Sequence, residues 1–168
     1  MKIGFVGLGN VGGKLARSLL RNNFDLTVRD LDTNLTKIFT DSGAKIVNSA
    51  KKLAEEVDLI ITCLPSPQIC AEVMEGADGI IEGLSQNKIW LEMSTTDEAE
   101  VKRLGKKVKD KKATPLDGPV SGGCHRAETG NIAIFVGGER KAFDKILPAL
   151  TVMGLSLIHI SEPTRPLR

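Results

Sequence analysis

The chain has 168 residues, a formal net charge of +2 at pH 7 and 41% hydrophobic residues, which fits one domain with an ordinary core. The near-neutral charge predicts no general attraction to nucleic acid, and no apolar run is long enough to cross a bilayer. Cys63, Cys70 and Cys124 lack the spacing of metal ligands. With no signal peptide at the N-terminus, these features predict a cytoplasmic protein with no metal site and no nucleic-acid or membrane partner.

A short apolar run at residues 3–6 opens the chain and predicts a buried parallel strand. Gly7, Gly9 and Gly12 follow it in the Gly-x-Gly-x-x-Gly spacing of dinucleotide-binding loops. The first glycine permits a tight turn, the second lets the backbone approach a pyrophosphate, and the third lets the next helix pack close to the sheet. That helix is predicted from about residue 10 to residue 21, with its N-terminus toward the phosphates. The alternative is a glycine-rich turn of any α/β protein.

A second predicted strand, residues 26–29, ends at Asp30, about 20 residues beyond the glycine loop. A carboxylate in this position accepts hydrogen bonds from the adenosine ribose hydroxyls. Alone, Asp30 is typical of a surface residue that closes a strand, but together with the glycines it favours dinucleotide binding. Because its charge repels a 2′-phosphate, NAD is expected over NADP. Arg29 weakens that preference slightly, although its side chain should point to the opposite face of the strand.

The following segments alternate between helical and strand patterns with short connections, which predicts an α/β doubly wound parallel sheet. Strands are expected at residues 44–47, 57–64 and 88–93. Helices are expected from Thr33 or Asn34 to Phe39, from Ser49 to Glu56, at 68–74 behind Ser66-Pro67, near Leu84, and from Thr95, in capping-box spacing with Glu98, to about Lys111. Right-handed crossovers would bring the carboxyl ends of the strands to one rim. The glycine loop, Asp30, Leu64-Pro65 and Ser94-Thr95 would then meet there.

The next segment is a block running Leu116-Asp117-Gly118-Pro119-Val120-Ser121-Gly122-Gly123, followed by Gly130 and a predicted strand at 131–136 that ends in Gly137-Gly138. With the glycine loop, Leu64-Pro65 and Ser94-Thr95, it resembles the β-hydroxyacid dehydrogenase family over residues 1–154. That family contains the 3-hydroxyisobutyrate dehydrogenases and tartronate semialdehyde reductases. The resemblance implies a Rossmann-like domain, NAD(P)-dependent oxidation of a small 3-hydroxy acid or the reverse reduction, and a homo-oligomeric full-length protein.

The resemblance also implies two sets of site residues, carried over by position. The cofactor would be bound by Gly7, Leu8, Gly9, Asn10, Val11, Gly12, Asp30, Leu64, Pro65 and Thr95. The substrate carboxylate or hydroxyl would be held by Ser121, Gly122 and Gly123, with Ser121 as the catalytic residue present in this chain. A plain Ser-Gly-Gly turn is the alternative. Arg126 stands where the family more often has a small residue, and it either adds a grip on a carboxylate or faces solvent.

The end of the chain departs from the family. After a helix predicted at 139–147, broken or restarted at Pro148, residues 155–168 look like a translated cloning or sequencing adapter, with a last strand at 157–160 as the alternative. In the family an all-helical second domain follows and carries the lysine that acts as general acid–base. We therefore expect a chain truncated before that domain, which binds cofactor but has negligible turnover, since acid–base groups contribute about 10²–10⁴-fold in rate.

Two other functions remain open at this point. One is a non-enzymatic NAD-binding sensor, which needs no anion-holding loop such as the one at Ser121. The other is a different reductase of the wider superfamily, of the imine or phosphogluconate type.

Overall fold

The computed structural model describes residues 1–94 and 97–160. In that part of the chain the strands β1 to β9 are Lys2–Val6, Asp25–Arg29, Lys45–Ile46, Leu59–Thr62, Ile89–Glu92, Thr114–Asp117, Val120–Ser121, Ile132–Gly138 and Gly154–Ile160. The helices α1 to α8 are Gly12–Arg21, Thr33–Thr40, Ala50–Glu56, Pro67–Glu75, Ile80–Gly83, Glu98–Asp110, Gly123–Glu128 and Arg140–Met153.

All nine of these strands join one mostly parallel sheet, in the order β3-β2-β1-β4-β5-β6-β8-β7, with β9 also paired to β8. The pairs from β3 to β6 are parallel, whereas β8 runs antiparallel to β6 and β7. The chain winds outward from β1 in one direction through β2 and in the other through β4. This reversal leaves a crevice at the carboxyl end of β1, where open α/β sheets bind their ligands. The doubly wound Rossmann-like prediction is confirmed.

Two apolar layers cover the sheet, one on each face. Strand residues alternate between them, so that Phe5 belongs to one layer and Val6 to the other. The first layer joins the sheet to α1, α2, α7 and α8, and the second joins it to α3, α4, α5 and α6. Because both faces are covered, strands such as β4 are apolar throughout, as the sequence predicts.

Several helix boundaries differ from the prediction. Helix α2 is capped by Asp32, whose carboxylate accepts a hydrogen bond from the Asn34 N–H at 2.9 Å, and not by Thr33 or Asn34. Helix α6 is capped by Asp97 rather than Thr95; Thr95 and Thr96 lie outside the described residues. In both cases an aspartate is the stronger N-cap, because its carboxylate also complements the helix dipole.

Helix α8 continues through Pro148, where the sequence predicts a break. Ile146 before the proline and Leu150 after it are both fully buried against the sheet. Apolar packing on both sides therefore outweighs the hydrogen bond that the proline removes.

Strand β9 pairs in parallel with β8, with Ile158 opposite Phe135. The His159 ring lies 4.6 Å from the Phe143 ring, and its Nε2 is 3.0 Å from the Gly138 carbonyl oxygen. This segment forms the last strand that the sequence offers as the alternative for residues 157–160.

Lys88 holds the carboxyl end of α3. Its Nζ donates hydrogen bonds to the carbonyl oxygens of Ala54 at 2.5 Å and of Glu55 and Val57 at 2.8 Å each. Partial burial lowers the pKa of this amine. One ammonium group thus satisfies three carbonyls that the helix leaves without an intrahelical partner.

We expect Lys88→Met to lower the free energy of unfolding by about 2 kcal/mol, because the half-buried ammonium group exchanges bonds to water for its three bonds to carbonyls, so that together they contribute about as much as one hydrogen bond to a charged group, about 1.5–3 kcal/mol, and methionine keeps the apolar stem. Lys141→Met, at an exposed lysine, should change it by less than about 0.5 kcal/mol. Urea unfolding of both variants measures the difference. Equal effects would mean that the Lys88 contacts do not stabilise α3.

Candidate functional site

A cleft of about 870 Å³ opens at the carboxyl ends of β1, β2, β4 and β5. This volume suits a small-molecule or cofactor site. Most of the predicted cofactor residues line it, namely Gly7, Gly9, Asn10, Val11, Gly12, Asp30, Leu64 and Pro65. The Leu8 side chain instead packs into the core, and Thr95 lies outside the described residues.

The glycine loop follows β1 in a tight turn. Gly7 has a φ of +97°, which disfavours any side chain, and its N–H donates to the Arg29 carbonyl oxygen at 3.1 Å. A Cβ at Gly12 would collide with the Gly7 carbonyl oxygen, so α1 packs closely on the turn. A Cβ at Gly9 would meet nothing within 4 Å. The loop therefore presents bare backbone to open space in the cleft, as a diphosphate requires.

Asp30 is fixed against the loop. Its Oδ2 accepts a hydrogen bond from the Leu8 N–H at 2.7 Å, and its Oδ1 accepts one from the Asp32 N–H at 2.9 Å. Each carboxylate oxygen has a second lone pair, so the group can accept further hydrogen bonds from the cleft. Arg29 borders the same cleft.

A buried carboxyl group lies beneath the opposite side of the cleft. Glu92, fully buried at the end of β5, accepts hydrogen bonds from the Ser94 N–H at 2.6 Å and from the Cys70 thiol at 2.7 Å. The Ser94 hydroxyl oxygen in turn accepts from the Leu64 N–H at 2.7 Å. These contacts join the turn after β4 to the turn after β5. Glu92 is absent from the predicted site residues, although its position as a charged residue at the end of an apolar strand is a signal visible in the sequence.

Apolar side chains outside the predicted site residues also line the cleft. Leu31, directly after Asp30, is 89% exposed and borders the cleft. The other apolar residues of the lining include Leu35, Ile69 and Val73. No local pattern marks them, because they come from α2, α4 and a loop that meet only in the fold.

The predicted substrate residues lie beside the cleft and do not line it. Val120 of the same block borders the cleft, while Ser121 is exposed at the end of β7. Gly122 and Gly123 have φ values of +132° and +72° and lead into α7, a short helix that the sequence analysis did not predict. Arg126 crosses over Gly122, so that a Cβ there would lie 2.8 Å from the arginine Cδ. The exposed Arg126 side chain is therefore next to the Ser-Gly-Gly loop.

Cys63 borders the cleft and is half-buried. Burial, and secondly the charge of Glu92, raise the pKa of its thiol to about 12. A pKa this high leaves the thiol almost entirely protonated at pH 8. Since the thiolate is the nucleophile, Cys63 is a poor one.

We expect iodoacetamide at pH 8 to modify Cys63 at least about tenfold more slowly than Cys124, measured by mass spectrometry of the native chain. In urea all three cysteines should react at similar rates, which serves as the control. Rapid native modification of Cys63 would contradict the raised pKa.

Within residues 1–94 and 97–160, no group of three or more His, Cys, Asp or Glu side chains is placed to hold a metal ion. In the same residues, no helix combines the length and the apolar character that a membrane span requires.

Comparison with known proteins gives consistent matches. Residues 2–161 match the family described as the NAD binding domain of 6-phosphogluconate dehydrogenase. The mitochondrial 3-hydroxyisobutyrate dehydrogenase of Homo sapiens is 35% identical over 157 residues, which are 94% of this chain and 47% of the human protein. The 2-(hydroxymethyl)glutarate dehydrogenase of Eubacterium barkeri is 32% identical over 163 residues, covering 96% of this chain and 54% of that protein.

Among solved structures, 3-hydroxyisobutyrate dehydrogenase from Salmonella typhimurium superposes with a TM-score of 0.89 at 26% identity. The match covers 96% of this chain and 56% of the Salmonella chain. This chain thus spans about half the length of the curated relatives it matches.

Proposed function

The chain belongs to the family of NAD-binding domains represented by that of 6-phosphogluconate dehydrogenase and found in the β-hydroxyacid dehydrogenases. From this premise we propose that it binds NAD in the cleft, as part of an oxidoreductase that acts on the CH–OH group of a small 3-hydroxy acid. The observation that carries the proposal is the pairing of Gly9, whose missing side chain leaves the loop open, with Asp30, whose carboxylate is fixed beside it.

Each part of the cleft suits one part of the dinucleotide. The backbone around Gly9 and the N-terminus of α1 would face the diphosphate, where N–H groups and the helix dipole favour negative charge. Asp30 would accept hydrogen bonds from the adenosine ribose, and the apolar side chains of Leu31 and Leu35 would cover the adenine ring. Leu64 and Pro65 would then contact the other half of the cofactor, and the family resemblance assigns Thr95 to the cofactor as well.

The substrate side of the proposal rests on the Ser121 loop. A hydroxyl group and backbone N–H groups at Gly122 and Gly123 suit a carboxylate, and holding it would orient the carbinol carbon. NAD, when bound, supplies the hydride acceptor for the oxidation. A general acid–base for the substrate hydroxyl is, by resemblance, a lysine of the helical domain, so we expect binding by this chain without measurable turnover.

Fluorescence titration with NADH and NADPH tests cofactor binding. We expect NADH to bind in the micromolar range and more tightly than NADPH. Failure of both to bind below millimolar concentration would refute the cofactor assignment.

The substrate class has a separate test. Adding 3-hydroxyisobutyrate should tighten NAD binding in the wild type, and Ser121→Ala should weaken this effect by about tenfold, because the variant loses one hydrogen bond to the acid. A wild-type chain that binds NAD with the same affinity in the presence and absence of 3-hydroxyisobutyrate would favour the sensor function.

A further inference from the structure

Glu92 is fully buried in a position where an apolar side chain would cost less free energy to bury. Trp90 and Glu92 share one face of β5, the face covered by α4, and Trp90 packs there in an apolar layer with Ile60 and Met74. Moving a carboxyl group from water into such surroundings is unfavourable unless hydrogen bonds compensate for it. The hydrogen bonds that Glu92 accepts therefore offset the cost of burying its carboxyl group.

One of these contacts leads to the cleft, and a hydrogen bond of Ser94 extends it to the next turn. The Ser94 N–H donates to Oε1 of Glu92, and the Ser94 hydroxyl accepts the Leu64 N–H. Ser94 and Leu64 both line the cleft, whereas Glu92 lies behind them with no exposed surface. A single buried acceptor thus sets the backbone of the turn after β5 and, through Ser94, the backbone of the turn after β4.

Backbone hydrogen bonds connect the ends of the neighbouring strands around Glu92. Thr62 of β4 and Asp117 of β6 occupy the register positions on either side of Glu92. The Met93 N–H donates to the Thr62 carbonyl oxygen at 2.8 Å, and the Gly118 N–H donates to the Glu92 carbonyl oxygen at 2.7 Å.

The two turns lie on the side of β1 opposite to Asp30. Strand β2, which ends at Asp30, pairs with one edge of β1, and β4 pairs with the other, with β5 beyond it. If Asp30 holds the adenosine ribose, the turns after β4 and β5 face the nicotinamide half of the cofactor.

We propose that Glu92 is a positioning residue for the nicotinamide half of the bound cofactor, acting through the Ser94 and Leu64 backbones. The inference rests on the proposed function, because it needs a dinucleotide in the cleft. It assigns Glu92 no contact with the cofactor, only the role of fixed acceptor behind it.

Three variants test the assignment by calorimetric titration with NADH and with AMP, which carries the adenosine half alone. Glu92→Leu removes both acceptor oxygens and should weaken NADH binding by about tenfold or more, while AMP binding stays within about twofold. Glu92→Gln keeps one carbonyl oxygen for the Ser94 N–H and turns its NH₂ toward Cys70, so it should bind both ligands within about threefold of the wild type. Cys70→Ala, which removes the contact on the helix side, is the matched control and should also bind both normally.

Equal loss of NADH and AMP affinity in Glu92→Leu, or no loss of either, would overturn the proposal, since a general structural role does not distinguish the two halves. If that variant does not fold, Ser94→Ala takes its place, because it leaves the Leu64 N–H without its acceptor and should show the same selective loss. A wild-type chain that binds neither ligand refutes the proposed function itself, which is a different result from either of these.

Discussion

Replacing Gly12 with alanine is expected to lower the free energy of unfolding by about 1–3 kcal/mol, the usual cost of overpacking a close contact. The added Cβ would collide with the carbonyl oxygen of Gly7, which is backbone and cannot rotate away. Relief requires α1 to move off the turn after β1, and Leu15 and Leu19 hold that helix in the core. NADH binding should fall with stability, because the loop and the helix N-terminus move together.

Gly9→Ala is the matched comparison, and it separates binding from folding. A Cβ at Gly9 has open space around it, so the free energy of unfolding should stay within about 0.5 kcal/mol of the wild type. That space is where we place the diphosphate, so the methyl group should weaken NADH binding by about tenfold or more. Urea unfolding and fluorescence titration of both variants measure the two effects. A stable Gly9→Ala chain with unchanged NADH affinity would show that the backbone at Gly9 does not approach the cofactor.

The sequence predicts the turn after β1 that borders the cleft because its signals are local. The β1 strand, the three glycines and the start of α1 fall within twelve residues, and a Cβ at Gly7 or Gly12 would collide with neighbouring backbone. Ser66-Pro67 is equally local: the Ser66 hydroxyl caps α4 by accepting the Ile69 N–H at 3.2 Å, and the proline takes the first helical position.

What the sequence does not predict depends on contacts between distant segments. Pro148 breaks no helix because residues on both sides of it pack on strands that come earlier in the chain. Glu92 finds one of its donors in Cys70, 22 residues away on another element. No sequence pattern marks Leu31 as a cleft residue, because its position there depends only on where β2 ends in the fold. Local propensity cannot encode these outcomes, because tertiary packing decides them.

The choice between NAD and NADP depends on the carboxylate of Asp30. Since hydrogen bonds to a charged group contribute about 1.5–3 kcal/mol, we expect Asp30→Ala to weaken NADH binding by roughly 10- to 100-fold. The affinity for NADPH should fall much less, because the variant also removes the charge that repels the 2′-phosphate of NADPH. The ratio of the two affinities should therefore move toward NADPH, which general damage to the cleft would not produce.

Asp32→Ala is the control for stability in this experiment. Asp30→Ala deprives the Leu8 and Asp32 N–H groups of their acceptor, and Asp32→Ala deprives the Asn34 N–H of its acceptor at the start of α2. The loss of that N-cap should lower the free energy of unfolding by about 0.5–2 kcal/mol while NADH and NADPH affinities remain those of the wild type. Titration of both cofactors against the two variants and the wild type gives the comparison. A wild-type preference for NADPH, or an equal loss of both cofactors in Asp30→Ala, would contradict the role of Asp30, because a carboxylate that binds a ribose cannot treat a free hydroxyl and a phosphate alike.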